Sequence, residues 1–191
     1  LSCLYTLEFL SAGSFIGLLF LIISLIRLFR NAPKLPSLTD ERTSIPNTSL
    51  TVIVPVYNEQ ENIKACLKSI FSSNTPCNHW KVLLVDDCSS DETVKISLAF
   101  ASELDIPKER FEIISAGNRP LEERWVGKNW ACAQAMNTVN SDWVLFVDAD
   151  VQLFPKTIKR ALQEIIQENT DLLSLAPKIT CGCFAEWMVQ P

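Results

Sequence analysis

Apolar positions follow three different rhythms along this chain. From Phe9 to Ile26 they are nearly unbroken: Leu, Ile and Phe with a few Gly, Ser and Ala, and no charged side chain. Residues 31–49 show no rhythm, and Pro33, Pro36 and Pro46 stand there among Ser and Thr, the composition of a linker. From Leu50 onward, short β-prone runs alternate with stretches whose apolar residues recur at helical spacing.

This last pattern predicts a series of elements. Leu50–Val54 reads as a strand stopped by Pro55. Glu59–Phe71 reads as a helix with Ile63, Leu67, Ile70 and Phe71 on one face, started by a capping box of Asn58 and Glu61. Lys81–Val85 is a second strand, and Ser89 with Glu92 caps a helix running to about Leu104. Phe111–Ile114 is a third strand, 127–139 a helix, Asp142–Val147 a fourth strand, Thr157–Gln167 a helix and Asp171–Leu175 a further strand. Strands alternating with helices imply parallel pairing through right-handed crossovers. The strand runs are apolar through both faces, as they must be when helices cover each side of the sheet. The expected fold class is therefore α/β, a mostly parallel sheet flanked by helices.

The Phe9–Ile26 run has the length of a hydrocarbon core. Arg27, Arg30 and Lys34 follow it and only Glu8 precedes it, a bias that places the downstream chain in the cytoplasm. A cleaved signal peptide would carry its positive charge before the apolar run and a small-residue site after it, and neither is present. Residues 1–30 are thus expected to form a single transmembrane anchor, 31–49 the linker and 50–191 a domain on the cytoplasmic side.

Charge narrows the partners. The chain has 191 residues, 20% of them charged, and a net charge of -5, so no broad basic face is expected and nucleic acid is not an expected partner. The seven cysteines are odd in number and several lie inside apolar periodic segments, the pattern of reduced thiols. Cys181 and Cys183 lack the second pair that a zinc site needs. His79, the one histidine, lies at a strand start beside Trp80, where a Ser–His–Asp or Cys–His machine is not expected.

The chemistry gathers at the strand tips. Trp143-Val-Leu-Phe-Val runs straight into Asp148-Ala-Asp150. On a strand, carboxylates two positions apart point the same way. They repel unless a proton or cation lies between them, and a hard divalent cation bridging them to a phosphate removes that repulsion. After the first strand comes Pro55-Val-Tyr57-Asn58-Glu59, and after the second Asp86-Asp87-Cys-Ser-Ser-Asp91. The bland alternatives are solvated turns, helix capping by Asp91 and packing of Tyr57. Ligands of open α/β sheets sit beyond the carboxyl ends of the strands, and polar tips on one edge together predict a nucleotide–metal site there.

These residues resemble the family 2 glycosyltransferases, which have the GT-A fold. The matching segments are Thr51-Val-Ile-Val-Pro-Val-Tyr-Asn-Glu59, Val85-Asp-Asp-Cys-Ser-Ser-Asp-Glu-Thr93, Gly127-Lys-Asn-Trp-Ala131 and Phe146-Val-Asp-Ala-Asp150, in the family's order over roughly residues 50 to 190. The Gly127 segment and the closing Trp187-Met-Val-Gln-Pro191 look most like the membrane-bound hopanoid- and carotenoid-associated branch. The resemblance implies a donor pocket of Pro55, Tyr57 and Glu59, with Asp86 on the base and Asp87 nearby. It implies that Asp148 and Asp150 hold Mg²⁺ or Mn²⁺ on the donor diphosphate. Lys128, at a helix start, could add a positive point beside that diphosphate, or could be an ordinary solvated lysine.

One departure stands out. The family's catalytic base is a carboxylate downstream of the donor site, needed to deprotonate the acceptor hydroxyl in an inverting transfer. No convincing match precedes Pro191, and Glu186 reads as helix packing. The chain begins without Met and ends mid-pattern, so a fragment of a longer enzyme is expected. The expected function is metal-assisted transfer of a sugar from a nucleotide-sugar donor to a lipid-type acceptor. The alternative is a non-catalytic nucleotide-sugar-binding fragment or scaffold. A sugar nucleotidyltransferase would want a Gly-rich first loop, and a dehydrogenase a G-x-G-x-x-G after a strand, and both are missing.

Overall fold

The computed structural model describes residues 2–30, 45, 47–120, 124–125 and 128–176, with the side chains of 2–12 and 29 outside the description. Gly127, most of the linker, the Cys181–Cys183 pair, Glu186 and the closing 187–191 lie outside the described residues. The chain divides into two units, Leu1–Thr39 and Asp40–Pro191.

The first unit is the helix α1, Ser2–Arg30, with Arg27 and Arg30 in its last turn. Consecutive side chains from Phe15 to Ile23, Gly apart, are exposed apolar groups, so this stretch of α1 is apolar on every side. Among the described residues, no helix is long and apolar enough to cross a membrane. The helix expected over Phe9–Ile26 is present, while its expected crossing of a membrane is not shown by the described residues.

The second unit runs β1 (Ser49–Val56), α2 (Ile63–Phe71), β2 (His79–Asp86), α3 (Thr93–Glu103), β3 (Phe111–Ser115), α4 (Asn129–Met136), β4 (Trp143–Phe146) and α5 (Thr157–Gln167). The strands form one sheet in the order β3-β2-β1-β4, parallel at every pairing. Side-chain alternation divides the sheet cleanly. Val52, Val54, Val82 and Leu84 face one way and pack with Ile63, Leu67 and Ile70 of α2, Phe100 of α3 and Ile158, Leu162 and Ile165 of α5. Ile53, Leu83 and Val85 face the other way, onto Ala131 and Ala135 of α4. The helical rows i, i+4, i+7 in α2 and α5 are the stripes that such packing requires. Each fully buried Val, Leu or Ile contributes about 1.5–3 kcal/mol.

Several sequence expectations shift. Pro55 does not stop β1, which continues to Val56. The carbonyl of Ile53 accepts a hydrogen bond from Val147 N at 3.0 Å, so Ile53 faces β4. Pro55 faces the same side two residues on, past the last β4 pairing at Ile53–Phe146, where its missing N–H costs little. α2 starts at Ile63 rather than Glu59, and its N-cap Asn62 makes no side-chain capping bond. The expected capping box is absent because Asn58 takes a left-handed φ of 54° and turns its amide elsewhere. The Ser89–Glu92 cap is likewise replaced, because Asp91 accepts from Thr93 N at 3.0 Å. Asp171–Leu175 forms no strand among the described residues: Leu172 is exposed, and no neighbour supplies the ladder a strand needs.

Candidate functional site

The loops after β1 and β2 are sewn together by reciprocal hydrogen bonds. Asn58 N donates to Ser89 Oγ at 3.0 Å, and Ser90 N donates to Asn58 Oδ1 at 2.8 Å. Gln60 N donates to Asp91 Oδ2 at 3.1 Å. Thr93, fully buried, accepts from Glu59 N at 2.8 Å and donates from the same hydroxyl to Asp91 Oδ1 at 2.5 Å. Asn58 and Cys88, with φ of 54° and 64°, make the two sharp corners. A left-handed cysteine is uncommon, and the cross-loop bonds are what hold it there.

This lattice fixes where the predicted residues point. Pro55, Tyr57, Glu59, Asp87, Lys128, Asp148 and Asp150 all line one cleft of about 340 Å³ at the carboxyl edge of the sheet. Tyr57 is 60% exposed, so it is not a packing residue. Glu59 accepts from Asn62 Nδ2 at 2.9 Å, which fixes its carboxylate. Asp87 is buried, its N–H donating to Val56 O at 2.9 Å. Asp86 is not on the cleft lining: its Oδ1 accepts from Ser89 N at 3.1 Å and shapes the turn. His79 lies at the opposite, amino end of β2.

The Asp148–Asp150 pair lies just past β4, which ends at Phe146. The alternation nonetheless persists through the turn. Val147 and Ala149 are buried while Asp148 and Asp150 are exposed to the cleft. α2 clamps this turn from behind. Cys66 Sγ donates to Asp148 O at 3.7 Å, Leu153 N donates to Ser69 Oγ at 3.0 Å, and Asn74 N donates to Pro155 O at 2.7 Å. Burial pushes the Cys66 thiol up to about 12, with Asp150 and Asp148 adding to the effect, so Cys66 is a neutral donor under the turn.

Two cations reach into the cleft. Lys128, at the N-cap of α4, pairs through Nζ with Asp148 Oδ1. Arg119, in the loop after β3, pairs with the buried Asp87. The sequence pattern does not single out Arg119, a lone arginine in the polar loop after the third strand. Gly117, with φ 68°, turns the chain immediately after the third strand. Among the described residues no group of three His, Cys, Asp or Glu converges to hold a metal by protein ligands alone.

A parallel sheet with a polar crevice past its carboxyl ends defines an α/β domain of the ligand-binding kind. The chain belongs to a particular branch of that class, matching "Glycosyl transferase family 2" over residues 51–190. It is 31% identical over 128 residues to poly(ribitol-phosphate) beta-N-acetylglucosaminyltransferase TarS of Staphylococcus aureus strain Mu50, 67% of this chain and 21% of that one. It is 30% identical over 132 residues to 4,4'-diaponeurosporenoate glycosyltransferase of the S. aureus bovine strain RF122, 68% of this chain and 32% of that one. Among solved structures it superposes on S. aureus TarS 1–349 in complex with UDP, with TM-score 0.51 at 28% identity, over 63% of this chain and 33% of that one. It also superposes on the Pyrobaculum calidifontis mannosyltransferase PcManGT in complex with GDP-Man and Mn²⁺, with TM-score 0.52 at 26% identity, over 67% of this chain and 36% of that one. The sheet is thus that of the GT-A glycosyltransferases, and the chain spans between a fifth and a third of the length of these curated relatives.

Proposed function

We propose that this chain forms the donor half of a glycosyltransferase that moves a sugar from a nucleoside-diphosphate sugar to a lipid-type acceptor, with inversion. The observation that carries the reading is the charge balance of the cleft. Among the described residues, Glu59, Asp87, Asp148 and Asp150 line it against only Arg119 and Lys128. A donor diphosphate entering such a cleft alone would meet net repulsion.

A hard divalent cation answers that imbalance, and the residues fit one. Asp148 and Asp150 offer exposed oxygen donors on one side of a braced turn, and two carboxylates plus phosphate oxygens are the usual donor set of Mg²⁺. Bound there, Mg²⁺ or Mn²⁺ would offset the charge that grows on the leaving diphosphate. The chain's own groups do the rest. Tyr57 and Pro55 wall the donor pocket, and the sewn loops hold them rigid before the ligand arrives, so little ordering is required on binding. Asp87 lines the cleft beside them, while Asp86 shapes the turn beneath it.

The membrane part of the reading rests on α1. Its exposed Leu, Ile and Phe side chains would be costly in water, and Arg27 and Arg30 follow them at one end. Attachment through α1 would keep the domain on the cytoplasmic face, near an apolar acceptor.

Calorimetric titration of UDP in the presence of Mn²⁺ tests the site. Asp148→Asn and Asp150→Asn should weaken binding strongly with Mn²⁺ and little once the metal is chelated. Equal losses in both conditions would mean that the pair is structural.

A further inference from the structure

Lys128 occupies a position that the donor half has no evident reason to fill before a donor arrives. Its ammonium sits on Asp148, while among the described residues Asp150 beside it has no such partner on the cleft. Lys128 and Asp148 are both more than half exposed, with side-chain exposures of 56% and 52%. The pair is therefore not locked by packing, and the long lysine stem can swing. The other cleft cation, Arg119, is bound to an Asp87 that is only 7% exposed, and is not free to leave in the same way.

Building on the metal reading above, we infer that Lys128 is an exchangeable counter-ion: it holds the metal position in the donor-free protein and passes to the donor diphosphate when the cation takes Asp148. The exchange conserves charge pairs. Before binding, an ammonium neutralises Asp148. Afterwards the cation neutralises the Asp148–Asp150 pair and the ammonium faces phosphate oxygens. Bare metal must displace Lys128 into water and gains little. Metal arriving with a diphosphate gives Lys128 a new partner. Metal and nucleotide therefore bind with positive coupling, and the coupling is reciprocal by linkage. Lys128 is thus a positioning residue that makes the site accept its two ligands together.

The test uses Lys128→Met, which keeps the stem and removes the charge, with Lys128→Arg as the conservative control. Free Mn²⁺ is followed by its paramagnetic resonance signal, first without nucleotide and then with UDP. For Lys128→Met, Mn²⁺ alone should bind about 2- to 5-fold more tightly than to wild type, the size of an exposed ion pair. UDP in saturating Mn²⁺ should bind about ten-fold more weakly, as expected for loss of a hydrogen bond to a charged group. Lys128→Arg should restore most of the coupling. Unchanged or weaker binding of Mn²⁺ alone by Lys128→Met, with wild type still taking up Mn²⁺ and UDP together, overturns the exchange and leaves the metal site standing. Wild type that takes up no Mn²⁺ even with UDP overturns both. A general loss of folding would lower both affinities together, so opposite signs in the two titrations cannot come from misfolding.

Discussion

The carboxylate of Asp87 is buried at the tip of β2 and its charge is met by the guanidinium of Arg119, which reaches across from the loop after β3. A buried carboxylate that loses its partner keeps its desolvation penalty. Arg119→Ala should therefore cost about 1–3 kcal/mol of stability, a range kept low because the arginine itself is partly exposed. In an Asp87→Asn background the same substitution should cost much less. Urea unfolding of the four proteins of the cycle measures the difference, and additive losses would show that the pair carries no coupling.

Thr93 serves two loops with one hydroxyl. Thr93→Val keeps the shape but leaves Glu59 N without its acceptor and removes one of the donors to Asp91. The expected loss is about 1–3 kcal/mol in stability. UDP affinity should fall with it, because Tyr57 and Glu59 lose their brace. An unchanged affinity in a destabilised but folded protein would separate the loop lattice from donor binding.

Thiol reactivity should follow burial. The Cys66 thiol, pushed up to about 12 by burial and by Asp150 and Asp148, should resist iodoacetamide at pH 8 in the folded protein. Cys77, also raised by burial, should resist too, whereas the exposed Cys88 should react first. Peptide mass spectrometry of a labelling time course gives the order. Early labelling of Cys66 would mean that the Asp148 turn opens readily.

Acid should find Asp142. Hydrogen bonds from the Ser49 side chain and backbone, at 2.7 and 2.8 Å, hold its carboxyl below the usual aspartate range. A carboxyl depressed in the folded state stabilises the protein above its unfolded value, near 3.9, and that stabilisation is lost as pH falls through the lower folded value. Asp142→Asn should thus melt below wild type near neutral pH, and the gap should close as the pH falls below about 4. Thermal melts across that range check it, and a gap independent of pH would assign the loss to packing instead.

The sequence was most legible where local pattern and tertiary packing agree. α5 runs from Thr157 to Gln167 as its apolar stripe predicts, and the β runs fall where β-prone residues cluster. Helix starts were less legible, because Asn58 and Ser89 spend their side chains on each other's loops, a contact between residues 31 apart that no local window contains. Pro55 misled for a similar reason: whether a strand tolerates proline depends on how far its neighbour extends. Within the site, Asp148 and Asp150 are legible by spacing, Pro55, Tyr57 and Glu59 by their place at a strand tip and Lys128 by its place at a helix start, and the family resemblance adds the donor-pocket role. Arg119 is not legible, since a single arginine in a polar loop carries no signal until folding sets it beside Asp87.

The Asp142–Ser49 latch ties β4 to β1 at the amino end of the sheet, while every cleft residue sits at the carboxyl end. This stabilising contact is therefore separated from the ligand-binding edge by the length of the strands. An engineer could recut the cleft loops to admit a different sugar nucleotide and recover any lost robustness at the far rim, with little crosstalk between the two sets of changes. Such a layout lets one scaffold be retuned many times without being rebuilt.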